Sequence, residues 1–219
     1  MSYNSSVKQN YLEILKTFFV ALVLLAVGAI VGVLFIPATL KSFMNIAFFV
    51  VILFSLFSKK GGFIRSKKSM YIYALILGIL TGSAYIYYFE VLGSAVFLSA
   101  VIGVVLIFGM AYLIALRSSE ESLFKFSPII FAGIITLLIL EFINIFFFNF
   151  GTFDLIISAV AIIIYSVYAI VIMKSVQVRC RYGTLSEIEV VSLSYSIFIS
   201  FLNLLLNLLR ILSILNDRD

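Results

Sequence analysis

Apolar runs of membrane-crossing length leave this chain very few folds. They cover residues 17–36, 43–57, 70–89, 91–116, 128–149, 153–173 and 188–213, with only short polar breaks between them. The hydrocarbon core of a bilayer is about 30 Å thick, which takes roughly 20 residues of apolar helix. Seven such segments use up the 219 residues and leave no room for a soluble domain. Composition agrees, with 64% of residues hydrophobic and 11% charged. A soluble domain is about 45–50% apolar and about 25% charged. The expected fold class is all-α: a single domain over residues 1–219, an integral membrane bundle of seven transmembrane helices.

Charge sets the expected orientation. Lys8, Lys16, Lys59, Lys60, Arg65, Lys67, Lys68, Arg117, Lys125, Lys174, Arg179 and Arg181 fall on one side of a seven-span topology, twelve of the fifteen basic residues. Lys41, Arg210 and Arg218 fall on the other. Basic residues concentrate in cytoplasmic loops. The N-terminus is therefore expected in the cytoplasm and the C-terminus outside. The same bias accounts for the net charge of +5, so the expected partner is the lipid bilayer and not a nucleic acid. The start MSYNSSVKQNYLEILK is polar, and the apolar run after it is of full span length with no small-residue cleavage site. That is the pattern of a retained helix, not of a removable signal.

Local signals mark how the spans begin, end and pack. Gly28 and Gly32 are four apart in the first span, and Gly78 and Gly82 repeat the spacing in the third. Such pairs let neighbouring backbones approach closely. The second span is short, and Lys41 and Lys59 can reach the two interfaces around it. Residues 59–68 form the densest charge run. Little but Glu90 separates spans three and four, which predicts a tight hairpin there. Ser127 followed by Pro128 reads as a helix cap with proline at the first helical position. Asp154 suits a helix N-terminus, and Tyr85, Tyr87 and Tyr88 suit an interfacial aromatic belt. Residues 174–183 read as a basic loop, in which the single cysteine, Cys180, is a reduced cytoplasmic thiol. Ser186 with Glu189 three residues on is a capping box opening the last helix.

Catalysis is not expected. The sequence has no histidine, which excludes histidine metal sites and general bases. It also has no glycine-rich phosphate loop and no nucleophile elbow. The functional candidates are the polar residues inside spans. Glu141 sits about 14 residues into its span, roughly 20 Å deep, where a charged side chain costs about 2.5–3.5 kcal/mol on insertion scales. In the last span Ser192, Ser196, Ser200, Asn203, Asn207 and Arg210 are spaced 4, 4, 3, 4 and 3 apart. At 3.6 residues per turn they share one helix face. Asn203 and Asn207 bracket the depth of Glu141, and Arg210 lies about one turn further out. Two readings follow. Glu141 is a titratable constriction facing this stripe in an ion path, or it is a neutral acid hydrogen-bonded to Asn203 or Asn207 that ties two helices together.

The stripe carries a resemblance. SYSIFISFLNLLLNLLRILS, residues 194–213, resembles the closing helix of the Bax inhibitor-1 family, with Asn203, Leu208, Leu209, Arg210 and Leu212 in the pattern's places. ILTGSAYIYY, AVFLSAVIGVVLIFGMAYLIAL, LLILEFINIFFFN and AIIIYSVYAIVI are similar to its third to sixth spans, in order. The resemblance implies seven helices, a cytoplasmic N-terminus and a pH-controlled calcium leak. It attributes the calcium chemistry to an aspartate pair in the sixth and seventh helices. Ser166 and Ser200 stand at those places. Serine does not titrate near neutral pH and is a weak calcium ligand beside a carboxylate.

The resemblance thus implies a passive cation leak channel or transporter. Glu141, Ser166, Ser200, Asn203, Asn207 and Arg210 are its path residues, and the last helix is central. No cofactor is expected beyond transient Ca2+. The alternative is a non-conducting protein that binds and regulates another membrane protein. Short loops and minimal tails favour a prokaryotic cell membrane over an endomembrane.

Overall fold

A computed structural model describes residues 2–37, 40, 44, 64–143 and 151–216. Its regular elements are helices: α1 (Ser2–Phe35), α2 (Lys67–Arg117), α3 (Glu120–Ile143), α4 (Gly151–Arg181) and α5 (Glu187–Asn216). Among the described residues four segments are long and apolar enough to cross a membrane: Ser6–Phe35, Lys67–Arg117, Phe153–Arg181 and Glu187–Asn216. The expected second span, 43–57, apart from Met44, and the end of the fifth, 144–149, lie outside the described residues. In α5, 56% of the most apolar window is buried, against 17–39% in the other three.

The 51 residues of α2 would run about 77 Å if straight, at 1.5 Å per residue. That is more than twice the thickness of a bilayer core. Gly93 breaks the helix with φ 74° and ψ 164°, a combination essentially confined to glycine. The two arms, 67–92 and 94–117, match the expected third and fourth spans. The break itself is three residues later than expected, because Glu90 continues the helix. A polar side chain does not end a helix; a residue held at positive φ does.

Two further boundaries move. The fifth span does not start at a Ser127 cap. α3 begins at Glu120, and Ser119 Oγ accepts from Ser122 N at 3.3 Å. Glu120 and Glu121 sit in the first turn, where the helix dipole favours acids, and Glu121 pairs with Lys125 at 2.7 Å. Pro128 lies inside the helix, where it removes one backbone donor. The expected basic loop is also mostly helix, since α4 runs to Arg181 and only residues 182–186 separate it from α5.

The chain splits into two compact units, Met1–Tyr87 with Arg179–Phe198, and Tyr88–Val178 with Ile199–Asp219. In the first, α1 and the opening arm of α2 interlock through both glycine pairs. A Cβ on Gly28 would lie 2.2 Å from Leu75 O, and one on Gly32 would lie 2.3 Å from Ile79 O. Reciprocally, a Cβ on Gly78 would lie 2.1 Å from Leu25 O, and one on Gly82 would lie 2.6 Å from Ala29 Cα and O. Each helix presents bare backbone to the other, so no side chain larger than hydrogen fits at the four positions.

Polar contacts hold the rest of this unit. The buried Asn10 amide donates to Cys180 O (3.2 Å) and Gly183 O (2.6 Å) and accepts from Leu185 N (3.2 Å). Buried Ser194 Oγ donates to Ile14 O at 3.0 Å. Tyr73 and Tyr195 meet edge to face at 5.4 Å. Lys67 pairs with Glu13, and its backbone N–H donates to Glu187 Oε1 at 2.9 Å. The capping box is present: Ser186 N donates to Glu189 Oε2 at 3.0 Å, and Glu189 N donates to Ser186 Oγ at 3.4 Å. Tyr85 is buried, so it does not belong to an interfacial belt, whereas Tyr87 is exposed.

Candidate polar site on the last helix

The expected site residues fall in the second unit. There α5 packs against the later arm of α2. Phe201 and Phe108 rings lie 6.2 Å apart, and the position a Gly103 Cβ would take is 3.6 Å from Leu208 Cδ2. Ser200 and Asn207 each precede one of these contact residues by one position, so both lie beside that seam.

The polar stripe of α5 does not face one environment. Ser192 is exposed, Ser196, Asn203 and Arg210 are half-buried, and Ser200 and Asn207 are buried. At 100° per residue, Ser200 and Asn207 lie within about 20° of each other on the helix surface. They occupy the edge of the stripe that turns into the buried face. Ser192 and Arg210 mark the other edge. Of the stripe, only the Ser200–Asn207 edge is enclosed.

Much of the stripe bonds back along its own helix. Ser196 Oγ donates to Ser192 O at 3.0 Å. Asn203 Nδ2 donates to Ile199 O, and Asn207 Nδ2 to Asn203 O, each at 2.9 Å. These are bonds back to the carbonyl four residues earlier on the same helix, a habit of short polar side chains. Ser200 Oγ and Asn207 Oδ1 are buried and make no hydrogen bond among the described residues. Ser158 Oγ on α4 is in the same condition. Gln177 Oε1, also on α4 and in this unit, is a fourth, and leaving a buried polar atom unpaired costs about 1–3 kcal/mol.

Ser166 lies on α4, half-buried, directly after the buried Tyr165. Glu141 is helical in backbone near the end of α3, and its side chain lies outside the described residues. The structure therefore links Asn203 and Asn207 directly and places Ser200 on the Asn207 edge. It does not test a contact from Glu141 to either asparagine. Among the described residues no three His, Cys, Asp or Glu side chains come together as a metal site.

A model described as Inhibitor of apoptosis-promoting Bax1 matches residues 8–217, nearly the whole chain. The chain belongs to the Bax inhibitor-1 family. A search of curated proteins finds no match for it. Membership and the apolar helices together make it a membrane protein of the Bax-inhibitor type. Within the family, the positions where relatives are expected to carry carboxylates hold the hydroxyls of Ser166 and Ser200.

Sequence reasoning missed a second polar cluster on α4. Lys174 is buried, and its Nζ donates to Ala115 O (3.1 Å) and Ser118 O (2.6 Å). One turn on, buried Gln177 donates through Nε2 to Tyr112 O at 3.0 Å. The last carbonyls of a helix have no partner within it, and an ammonium is well placed there because the C-terminal end of the helix dipole is negative. Lys174 was assigned to a basic loop by charge alone. The apolar residues on both sides of it, Val171, Ile172 and Val176, were the available signal.

Proposed function

We propose that this Bax inhibitor-1 protein is a passive cation leak channel or transporter whose path runs beside the Ser200–Asn207 edge of α5. The observation that carries the reading is the buried, unpaired oxygens of Ser200, Asn207 and Ser158. Polar groups inside a membrane protein are expensive and mark ion or substrate routes. Asn203 adjoins this edge on α5, Ser166 on α4 joins the path in this reading, Glu141 supplies the in-membrane acid and Arg210 guards the outer end. Calcium, the ion associated with relatives, is one candidate cargo. The twelve-to-three charge bias supports a seven-span topology with a cytoplasmic N-terminus, and short loops support a prokaryotic cell membrane. No enzymatic activity and no resident cofactor belong to this reading.

A second reading draws on the outer edge of the stripe. Ser192 is exposed and Ser196 and Asn203 are only half-buried, polar positions that suit contact with another membrane protein that this chain regulates without conducting. Flux from liposomes holding the purified protein separates the two. Cation leak that falls when Asn207 is replaced by Leu supports the path. Glu141→Gln then tests the acid: unchanged flux and unchanged pH response remove Glu141 from it. Absence of leak for every cation at every pH leaves the partner-binding reading.

A further inference from the structure

We infer that the exposed face of α1 binds an anionic phospholipid, with Lys8 and Lys16 on the headgroup phosphate and the apolar residues below them against the acyl chains. This depends on the membrane setting of the chain and not on the leak reading.

The outward residues of α1 form one stripe. Leu12, Leu15, Phe19, Val23, Ile30 and Leu34 are exposed, and at 100° per residue they fall within an arc of about 100°. Ile14, Ala21 and Gly28 are buried on the other side of the helix, where Gly28 faces the backbone of α2. Lipid tails are as apolar as leucine, so lipid suits the uncovered stripe. Leu12 and Leu34 are 22 residues apart, about 33 Å along the axis, which matches the roughly 30 Å hydrocarbon core of a bilayer. The edge of the hydrocarbon then falls near Leu12, ahead of Thr17, where the unbroken apolar run begins.

Two cations stand at this edge on the same face. Lys8 and Lys16 are exposed and lie inside the arc of the stripe. Lys8 is one turn outside Leu12, at headgroup level, and Lys16 is one turn inside it. A lysine in the second position carries its ammonium outward on its apolar stem, so both charges converge on one headgroup layer. Neither forms a salt bridge among the described residues. Glu13, the one acid in α1, lies about 60° outside the arc and is paired with Lys67 of α2.

Uncompensated positive charge above an uncovered apolar stripe is complementary to a lipid with a negative headgroup. A zwitterionic lipid offers the lysines no net charge. A second copy packed symmetrically on the same face would set lysine against lysine, which is unfavourable. Each lysine near an anionic surface contributes about fivefold in affinity.

The sequence has no tryptophan, so Phe19→Trp gives a single fluorescent reporter on the stripe. Leu106→Trp gives a control on the exposed face of the later arm of α2. The full-length protein is placed in phosphatidylcholine vesicles, and quenching by acyl-brominated phosphatidylglycerol is compared with quenching by acyl-brominated phosphatidylcholine. Phosphatidylglycerol is expected to be preferred at least about fivefold at Phe19→Trp and to show little preference at Leu106→Trp. Lys8→Gln with Lys16→Gln should bring the first value down to the second, and Lys8→Arg with Lys16→Arg should keep it. Equal quenching by the two lipids at Phe19→Trp overturns the inference. A preference that survives the glutamine changes also overturns it, because other charges then select the lipid. Absence of quenching by either lipid overturns it as well, because protein, such as a second copy of the chain, then covers the face.

Discussion

The interlocked glycines of α1 and α2 make a sharp prediction about stability. An alanine methyl at Gly28 or Gly78 would meet a backbone carbonyl oxygen at 2.2 or 2.1 Å, whereas ordinary contact begins near 3.4 Å. Relief requires the helices to separate locally by about 1.2 Å, because a backbone carbonyl cannot rotate aside as a side chain can. A radial gap of about 0.5–1 Å already forfeits a quarter to a half of each contact's attraction, and overpacking of this kind costs about 1–3 kcal/mol. Alanine returns about 0.8–1.0 kcal/mol of helix propensity, leaving a net loss of up to about 2 kcal/mol. For a chain of this length that lowers the unfolding midpoint by up to roughly 8 °C. The controls are Gly109→Ala, where an added Cβ meets nothing within 4 Å, and Gly103→Ala, where it makes an ordinary contact at 3.6 Å. Both are expected to be neutral or mildly stabilising. The double variant Gly28→Ala with Gly78→Ala should lose less than the sum, since one displacement relieves both clashes. Thermal unfolding in detergent reads all of these, and Gly28→Ala matching Gly109→Ala would falsify the close-packed seam.

Two other positions give separate tests. Gly93→Ala meets no neighbour, so its cost is purely that of the backbone at φ 74° and ψ 164°, about 1–3 kcal/mol; an unchanged unfolding midpoint would show that this position is not held there. Lys174→Met removes the donor to Ala115 O and Ser118 O. Hydrogen bonds to charged groups contribute about 1.5–3 kcal/mol, so hydrogen exchange of amides near residues 114–119 should accelerate by roughly 10- to 150-fold, and an unchanged rate refutes the clamp.

Much of the fold was legible because its signals are local. The four-residue glycine spacings and the Ser186–Glu189 box each depend on side chains within a turn or two, and both appear in the structure. The facing of the α5 stripe was not legible. Serine and asparagine in a helix can bond to the carbonyl four residues back, as Ser196, Asn203 and Asn207 do. A polar residue satisfied in this way need not point at protein or water, so polarity at helical spacing does not identify the enclosed face. Asn10 was illegible for a different reason: its partners lie 170 or more residues away in the chain. The cap of α3 was misplaced because Ser127 before Pro128 satisfies the capping pattern as well as Ser119 does. The Glu120–Glu121 start and the Glu121–Lys125 pair favour the earlier turn.

The difference between self-satisfied and unpaired polar groups also bears on how a helix bundle can keep its fold while a buried polar position changes. Burying an unpaired hydroxyl costs about 1–3 kcal/mol in protein contexts, while an isolated buried carboxylate costs far more unless a partner, a proton or a cation offsets it. A helix bundle with Ser200 therefore makes a smaller demand on its surroundings than one with an acid at that depth. The contacts that hold this part of α5, Phe201 against Phe108 and Leu208 against Gly103, are apolar and do not depend on the residue before them. The packing that holds this part of α5 thus does not involve the side chain at position 200, and an exchange between serine and a carboxylate there leaves these apolar contacts in place.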